Sequence, residues 1–102
     1  MKTKNQTGND IEKEAYDRLV AQHYWVEKTR KAKFQPQDFF YCWDFIAVSQ
    51  KHIRFIQVSA KPFSQRSKAS KERMLAFPKP QGTIKEYWYW DEQMKRFEIQ
   101  TI

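Results

Sequence analysis

The sequence predicts a single α/β domain, a mixed sheet flanked by helices, with elements in the order α-β-β-β-α-β-β. Three observations lead there. A stripe of helical period opens the chain, and three short strand-like runs follow it. A basic helical stretch then ends at a Pro/Gly break and gives way to two closing strands, the first rich in aromatic residues.

Asn9-Asp10 reads as the cap of a helix over Ile11 to Ala21, because Ile11, Ala15 and Leu19 recur every four residues and Tyr16 and Val20 widen the stripe. Tyr24 to Lys28 is a short strand. Thr29 to Asp38 is polar, basic and interrupted by Pro36, which predicts a loop. Phe39 to Val48 and Ile53 to Ala60 carry the two strands of a hairpin, with Pro62 ending the second. Ser64 to Phe77 reads as a helix capped by Ser64, broken by Pro78-Lys79-Pro80-Gln81-Gly82. Ile84 to Trp90 and Arg96 to Ile102 complete the sheet. No repeat or linker divides residues 1–102, so they form one domain.

Composition narrows the function classes. Nineteen Lys and Arg against 12 Asp and Glu give a net charge of +7, which favours polyanionic partners and nucleic acid above a membrane surface. The lone Cys42 excludes an intramolecular disulfide framework and a cysteine-based zinc site, and fits a reducing compartment. The polar first ten residues resemble no signal peptide, and no apolar run is long enough to span a bilayer. The expectation is a cytoplasmic, non-secreted protein with no membrane partner. No Gly-rich phosphate loop, Ser-His-Asp set or zinc motif occurs, and His23 and His52 read as surface or helix-end residues.

The hairpin carries the most chemistry. Only Ser49-Gln50-Lys51-His52 separates its apolar strands, so closure over that loop pairs Val48 with Ile53 and sets Asp44 opposite Gln57. Cross-strand partners hold their Cβ atoms about 4.5–5.5 Å apart, close enough to share one small cation. Mg²⁺ takes one or two carboxylates with carbonyls and waters. Asp44, the Gln57 amide oxygen and the Val58 main-chain carbonyl offer such a set. The competing reading is that Asp44 only begins a strand and caps the preceding loop.

Glu12 lies at the margin of the buried helix face and could lean toward Asp44; equally, Asn9 and Glu12 form a capping-box pattern. Lys61 shares the Ser59 face if the strand extends to Pro62, where it would stabilise charge developing on phosphate; otherwise it is a solvated lysine. Arg30, Lys31 and Lys33 on the loop, with Arg66, Lys68, Lys71 and Arg73 on the basic helix, are candidate phosphate contacts, or else solvated faces. Tyr87, Trp88, Tyr89 and Trp90 could stack on unpaired bases, although on a strand half belong to the core.

Together these residues resemble the PD-(D/E)xK nuclease superfamily, and within it the small Holliday junction resolvases. Gly8 to Glu14 matches the first-helix signature, in which a catalytic Glu (here Glu12) follows Gly by four residues. Asp44-Phe45-Ile46-Ala47-Val48 matches the metal-binding Asp and its hydrophobic strand. Gln57-Val58-Ser59 falls on the acid-x-Lys strand, departing from it twice: Gln57 replaces the acid and Ser59 the lysine. Lys61 offers a migrated lysine, and Asp38 resembles an acid that can precede the hairpin strand.

The resemblance implies a restriction-endonuclease-like αβββαβ fold over nearly the whole chain. It also implies Mg²⁺- or Mn²⁺-dependent endonucleolytic hydrolysis of branched or double-stranded DNA, in recombination or repair, by a homodimer. In that catalytic site Asp44 would be the principal metal ligand, Gln57 a neutral second ligand, Glu12 an outer ligand or water-orienting acid, and Lys61 the catalytic cation that stabilises charge at phosphate. A catalytically degenerate nucleic-acid-binding module of the same fold is the alternative. A structural or partner-binding protein with no role on DNA is a third reading.

Overall fold

Ile11, Ala15 and Leu19 line one side of the first helix and are almost wholly buried, as their spacing predicts. The computed structural model describes residues 8–29, 38–40 and 42–102, and in it this helix, α1, runs Gly8–Ala21. Asn9 therefore lies within α1, one residue inside its start, rather than ahead of it as a cap. At the other end the chain closes a Schellman turn. The Tyr24 N–H donates to the Leu19 carbonyl at 3.2 Å and the His23 N–H to the Val20 carbonyl at 2.9 Å, with His23 at φ 69°.

Five strands follow: β1 (Trp25–Lys28), β2 (Phe45–Val48), β3 (Ile53–Ser59), β4 (Thr83–Asp91) and β5 (Arg96–Thr101). They lie side by side in chain order. Every neighbouring pair is antiparallel except β3 and β4, which run parallel. A parallel pair needs a crossover, and α2 (Lys68–Ala76) lies within it.

Alternation along the strands sorts the core into two layers. Phe45, Ala47, Ile56, Val58, Trp88, Trp90 and Phe97 pack with Ile11, Ala15 and Leu19 of α1. The residues between them, among them Phe55, Tyr87 and Tyr89, join Cys42, Trp43 and Met74 on the side of α2. Full burial of a side chain such as Leu19 is worth about 1.5–3 kcal/mol, so the α1 stripe is a main anchor of the fold. The second helix is held differently, since Met74 is its one buried residue. Lys85 of β4, itself buried, donates to the carbonyls of Met74, Leu75 and Phe77 at 2.8, 3.0 and 2.8 Å, tying the C-terminus of α2 to the sheet.

Two element boundaries differ from expectation. The second helix does not begin at Ser64: a 3-10 turn occupies Phe63–Gln65, Arg66 is extended, and Ser67 caps α2 by accepting the Ser70 N–H at 3.1 Å. The hairpin ladder begins at Phe45 rather than Phe39. Before it the chain folds back through Phe40, at φ 56°, with Phe39 bridged to Trp43. Among the described residues no helix is long and apolar enough to cross a membrane.

Candidate functional site

Phe45 pairs with Ile56 and Val48 with Ile53, the register expected for the hairpin, and Asp44 lies just outside the ladder at its open end. Asp44 is pinned by its main chain on both sides. Its N–H donates to the Ile56 carbonyl at 2.8 Å, and its carbonyl accepts the Thr29 N–H at 3.0 Å. Its side chain then takes over from the ladder, Oδ2 accepting the Val58 N–H at 2.8 Å. In an extended strand the N–H and C=O of one residue point to the same side, so the Val58 carbonyl, like its N–H, is directed to the β2 side of β3.

Both side chains are removed from water, Asp44 and Gln57 each being 5% exposed. Burial, foremost, pushes the Asp44 carboxyl up to about 8. The Val58 hydrogen bond opposes that rise, while the charges of Asp38 and Glu12 and a hydrogen bond with Asp38 add to it. The two charges that raise it are both acids, Asp38 and Glu12. Gln57 presents the complementary anomaly. Its Oε1 is buried and accepts no hydrogen bond, an omission that costs about 1–3 kcal/mol unless something else fills the place. Trp43 Nε1 is likewise unpartnered, but it is a donor set among the rings of Phe55 and Phe77 and has nothing to offer a cation.

A buried carboxylate under the influence of further acids, with an unused buried amide oxygen on the neighbouring strand, would suit a small hard cation. The donors are Asp44, Gln57 Oε1 and the Val58 carbonyl, with half-buried Glu12 and Asp38 near enough to act on Asp44. No cluster of three or more His, Cys, Asp or Glu side chains with metal-site geometry occurs among the described residues; the set found here is poorer in acids, because an amide and a main-chain oxygen stand in for them.

The expected cation is elsewhere. β3 ends at Ser59, where the Ser59 Oγ accepts the Lys61 N–H at 3.0 Å and turns the chain, leaving the Lys61 side chain exposed. Lys61 therefore does not continue the Ser59 face. Its carbonyl accepts the Tyr87 hydroxyl at 2.6 Å. Tyr87 stands level with Gln57 on β4, and both Ser59 and Arg66 act on its hydroxyl. Arg66, half-buried, has its guanidinium 5.9 Å from the centre of the Tyr87 ring and bonds Ser70 Oγ. This Ser59–Tyr87–Arg66 group was not anticipated, since only the β3–β4 register and the turn after Ser59 assemble it.

Lys68, Lys71 and Arg73 ride on the solvated side of α2. Lys68 lies 3.9 Å from Glu72 and Lys71 bonds the Ser64 carbonyl at 3.4 Å. Arg30, Lys31 and Lys33 lie outside the described residues. The aromatic run of β4 is not a stacking surface: Tyr87, Trp88 and Trp90 are buried and Tyr89 is half-buried. Comparison with protein-family models, with curated proteins and with solved structures finds no match to this chain.

Proposed function

We propose that the chain is a metal-dependent nuclease of the restriction-endonuclease-like type, hydrolysing phosphodiester bonds in DNA. The supporting observations are the buried, unpartnered Gln57 Oε1 on β3 and the buried Asp44 carboxyl at the end of the neighbouring strand, on which the charges of Asp38 and Glu12 act. Mg²⁺ or Mn²⁺, when bound, would supply the missing counter-charge and acidify a water. Asp44, Gln57 and the Val58 carbonyl would hold it. Glu12 and Asp38 border the same carboxylate and would orient the attacking water and take its proton. Arg66 and the Tyr87 hydroxyl would take the part of a lysine against phosphate, and Lys68, Lys71 and Arg73 would hold the backbone further out. The net charge of +7 favours such a substrate.

A second reading has its own observation. Ser59 Oγ is engaged with the Lys61 main chain, and the Lys61 side chain lies in solvent. A site without a lysine against phosphate suits a module that binds nucleic acid without cutting it. Incubation of branched and linear DNA with Mg²⁺ or Mn²⁺, using wild type and Asp44→Ala, separates the two. Metal-dependent cleavage lost in the variant supports the nuclease, whereas DNA binding with no cleavage at any metal concentration supports the module.

A further inference from the structure

Two rows of side chains cross the sheet at the end away from the hairpin loop. Gln57, Tyr87 and Gln100 form one, and Ser59, Tyr89 and Glu98 the other, each set paired in register over β3, β4 and β5. Cross-strand partners share a face, and this is the face on which Phe55, Tyr87 and Tyr89 pack with Met74 of α2. The β4 aromatics offer no open platform there. The β5 ends of both rows, however, border a cleft of about 110 Å³, lined among others by Pro62, Phe63, Tyr87, Tyr89, Glu98 and Gln100.

Size limits the occupant. A closed cavity of about 150 Å³ holds a benzene ring, so this cleft takes one six-membered ring or a small head group, and neither a base pair nor a length of peptide. The rings of Phe63 and Tyr87 meet edge to face with centroids 5.4 Å apart. Aromatic walls attract cations as well as flat heterocycles, but a second cation would meet a like charge here, because the Arg66 guanidinium already lies 5.9 Å from the centre of the Tyr87 ring. Arg66 bonds the neutral Ser70 Oγ, which leaves its charge for an anion. On the other side, the Glu98 carboxylate accepts Arg96 Nε at 3.0 Å in an exposed pair that a ligand displaces at little cost. A small ring with a donating edge and an anionic tail satisfies all three groups. Cytosine has that edge, since its N4 amine donates to a carboxylate, whereas thymine carries an oxygen at the same place. Strands lie about 4.8 Å apart, so the β5 ends of the rows stand roughly 10 Å from Gln57 and Ser59.

We propose that this cleft is a cytosine-binding subsite, in which Phe63 and Tyr89 contact the ring, Glu98 accepts its exocyclic amine and Arg66 meets the attached phosphate. This rests on the nuclease reading for the strand it would hold, but its test needs no cleavage. Fluorescence anisotropy in EDTA at 100 mM salt, with labelled dodecamers of deoxycytidylate and thymidylate, measures the preference. The wild type should bind the deoxycytidylate about tenfold tighter. Glu98 is exposed, so Glu98→Gln should fold normally and bring that ratio below twofold, its amide serving either base. Tyr89→Ala should weaken both dodecamers about tenfold, and Tyr89→Phe should recover most of the loss. In proton–nitrogen correlation spectra, deoxycytidine monophosphate should shift the Tyr89 and Glu98 amides of the wild type.

Equal affinity for the two dodecamers, a preference that Glu98→Gln leaves intact, or tetramethylammonium shifting those amides where deoxycytidine monophosphate does not, overturns the proposal. A wild type that prefers deoxycytidylate but cuts no DNA with Mn²⁺ removes the nuclease reading and leaves the subsite. One that cuts DNA and shows no preference does the reverse.

Discussion

Replacing Asp44 with Asn should stabilise the metal-free protein at alkaline pH, an unusual outcome for a buried residue. The folded-state pKa of Asp44 is about 8, raised chiefly by burial, whereas an unfolded aspartate titrates near 3.9. Between those values the folded chain keeps a proton that the unfolded chain has lost. Stability from this group is therefore fully present below about pH 4, declines by about 1.4 kcal/mol per pH unit, and is gone once pH passes about 8. The whole window amounts to something on the order of 5 kcal/mol; about 3 kcal/mol is a fair expectation, since Asp38 shares the hydrogen bond and can relax with it. Asn keeps an oxygen to accept the Val58 N–H and gains an amide that can donate to Asp38, so no new unsatisfied group is created.

Urea unfolding in EDTA, followed by tryptophan emission at pH 5 and pH 8.5, measures the effect. Asp44→Asn should exceed wild type by about 3 kcal/mol at pH 8.5, corresponding to more than 10 °C in melting temperature for a domain of this size. The gap should narrow toward pH 5. Millimolar Mn²⁺ should then raise the wild type alone, by about 2.7 kcal/mol at a hundredfold excess over its dissociation constant. A variant less stable than wild type at pH 8.5, or a gap that does not change with pH, would refute the reasoning.

Two further predictions concern residues around the site. Gln57→Glu should tighten Mn²⁺ binding at least tenfold by isothermal calorimetry while lowering metal-free stability at pH 8.5, because a second buried acid joins Asp44; weaker Mn²⁺ binding would mean that Gln57 does not face the cation. Lys85→Met removes the three hydrogen bonds that close α2 and leaves those carbonyls short of donors. It should cost about 2–4 kcal/mol in urea unfolding without changing Mn²⁺ affinity, and a loss below 1 kcal/mol would show that water replaces the lysine freely.

The element order and the hairpin register were legible in the residues because local patterns determine them. The i, i+4 stripe of Ile11, Ala15 and Leu19 has only one way to face a core. The apolar strands on either side of Ser49 to His52 can pair in one register without turning Phe45 and Ile56 to water.

Where short-range patterns competed, tertiary packing chose. Ser64 and Ser67 are both plausible caps, and the extended Arg66 selected Ser67. Lys61 would have continued the Ser59 face had the strand run on, but the Ser59 hydroxyl captured the Lys61 N–H and turned the chain.

By itself, then, the sequence determined the strand pairing, since that depends on spacing within a few turns or strands. The tertiary structure alone decided how dry Asp44 is, that Gln57 Oε1 has no donor, that Tyr87 and Arg66 gather beside Ser59, and that Trp25 is the tryptophan left in water. Those are properties of what surrounds a side chain in space. Desolvation and hydrogen-bond satisfaction depend on neighbours brought together from distant parts of the chain, and no local periodicity encodes them.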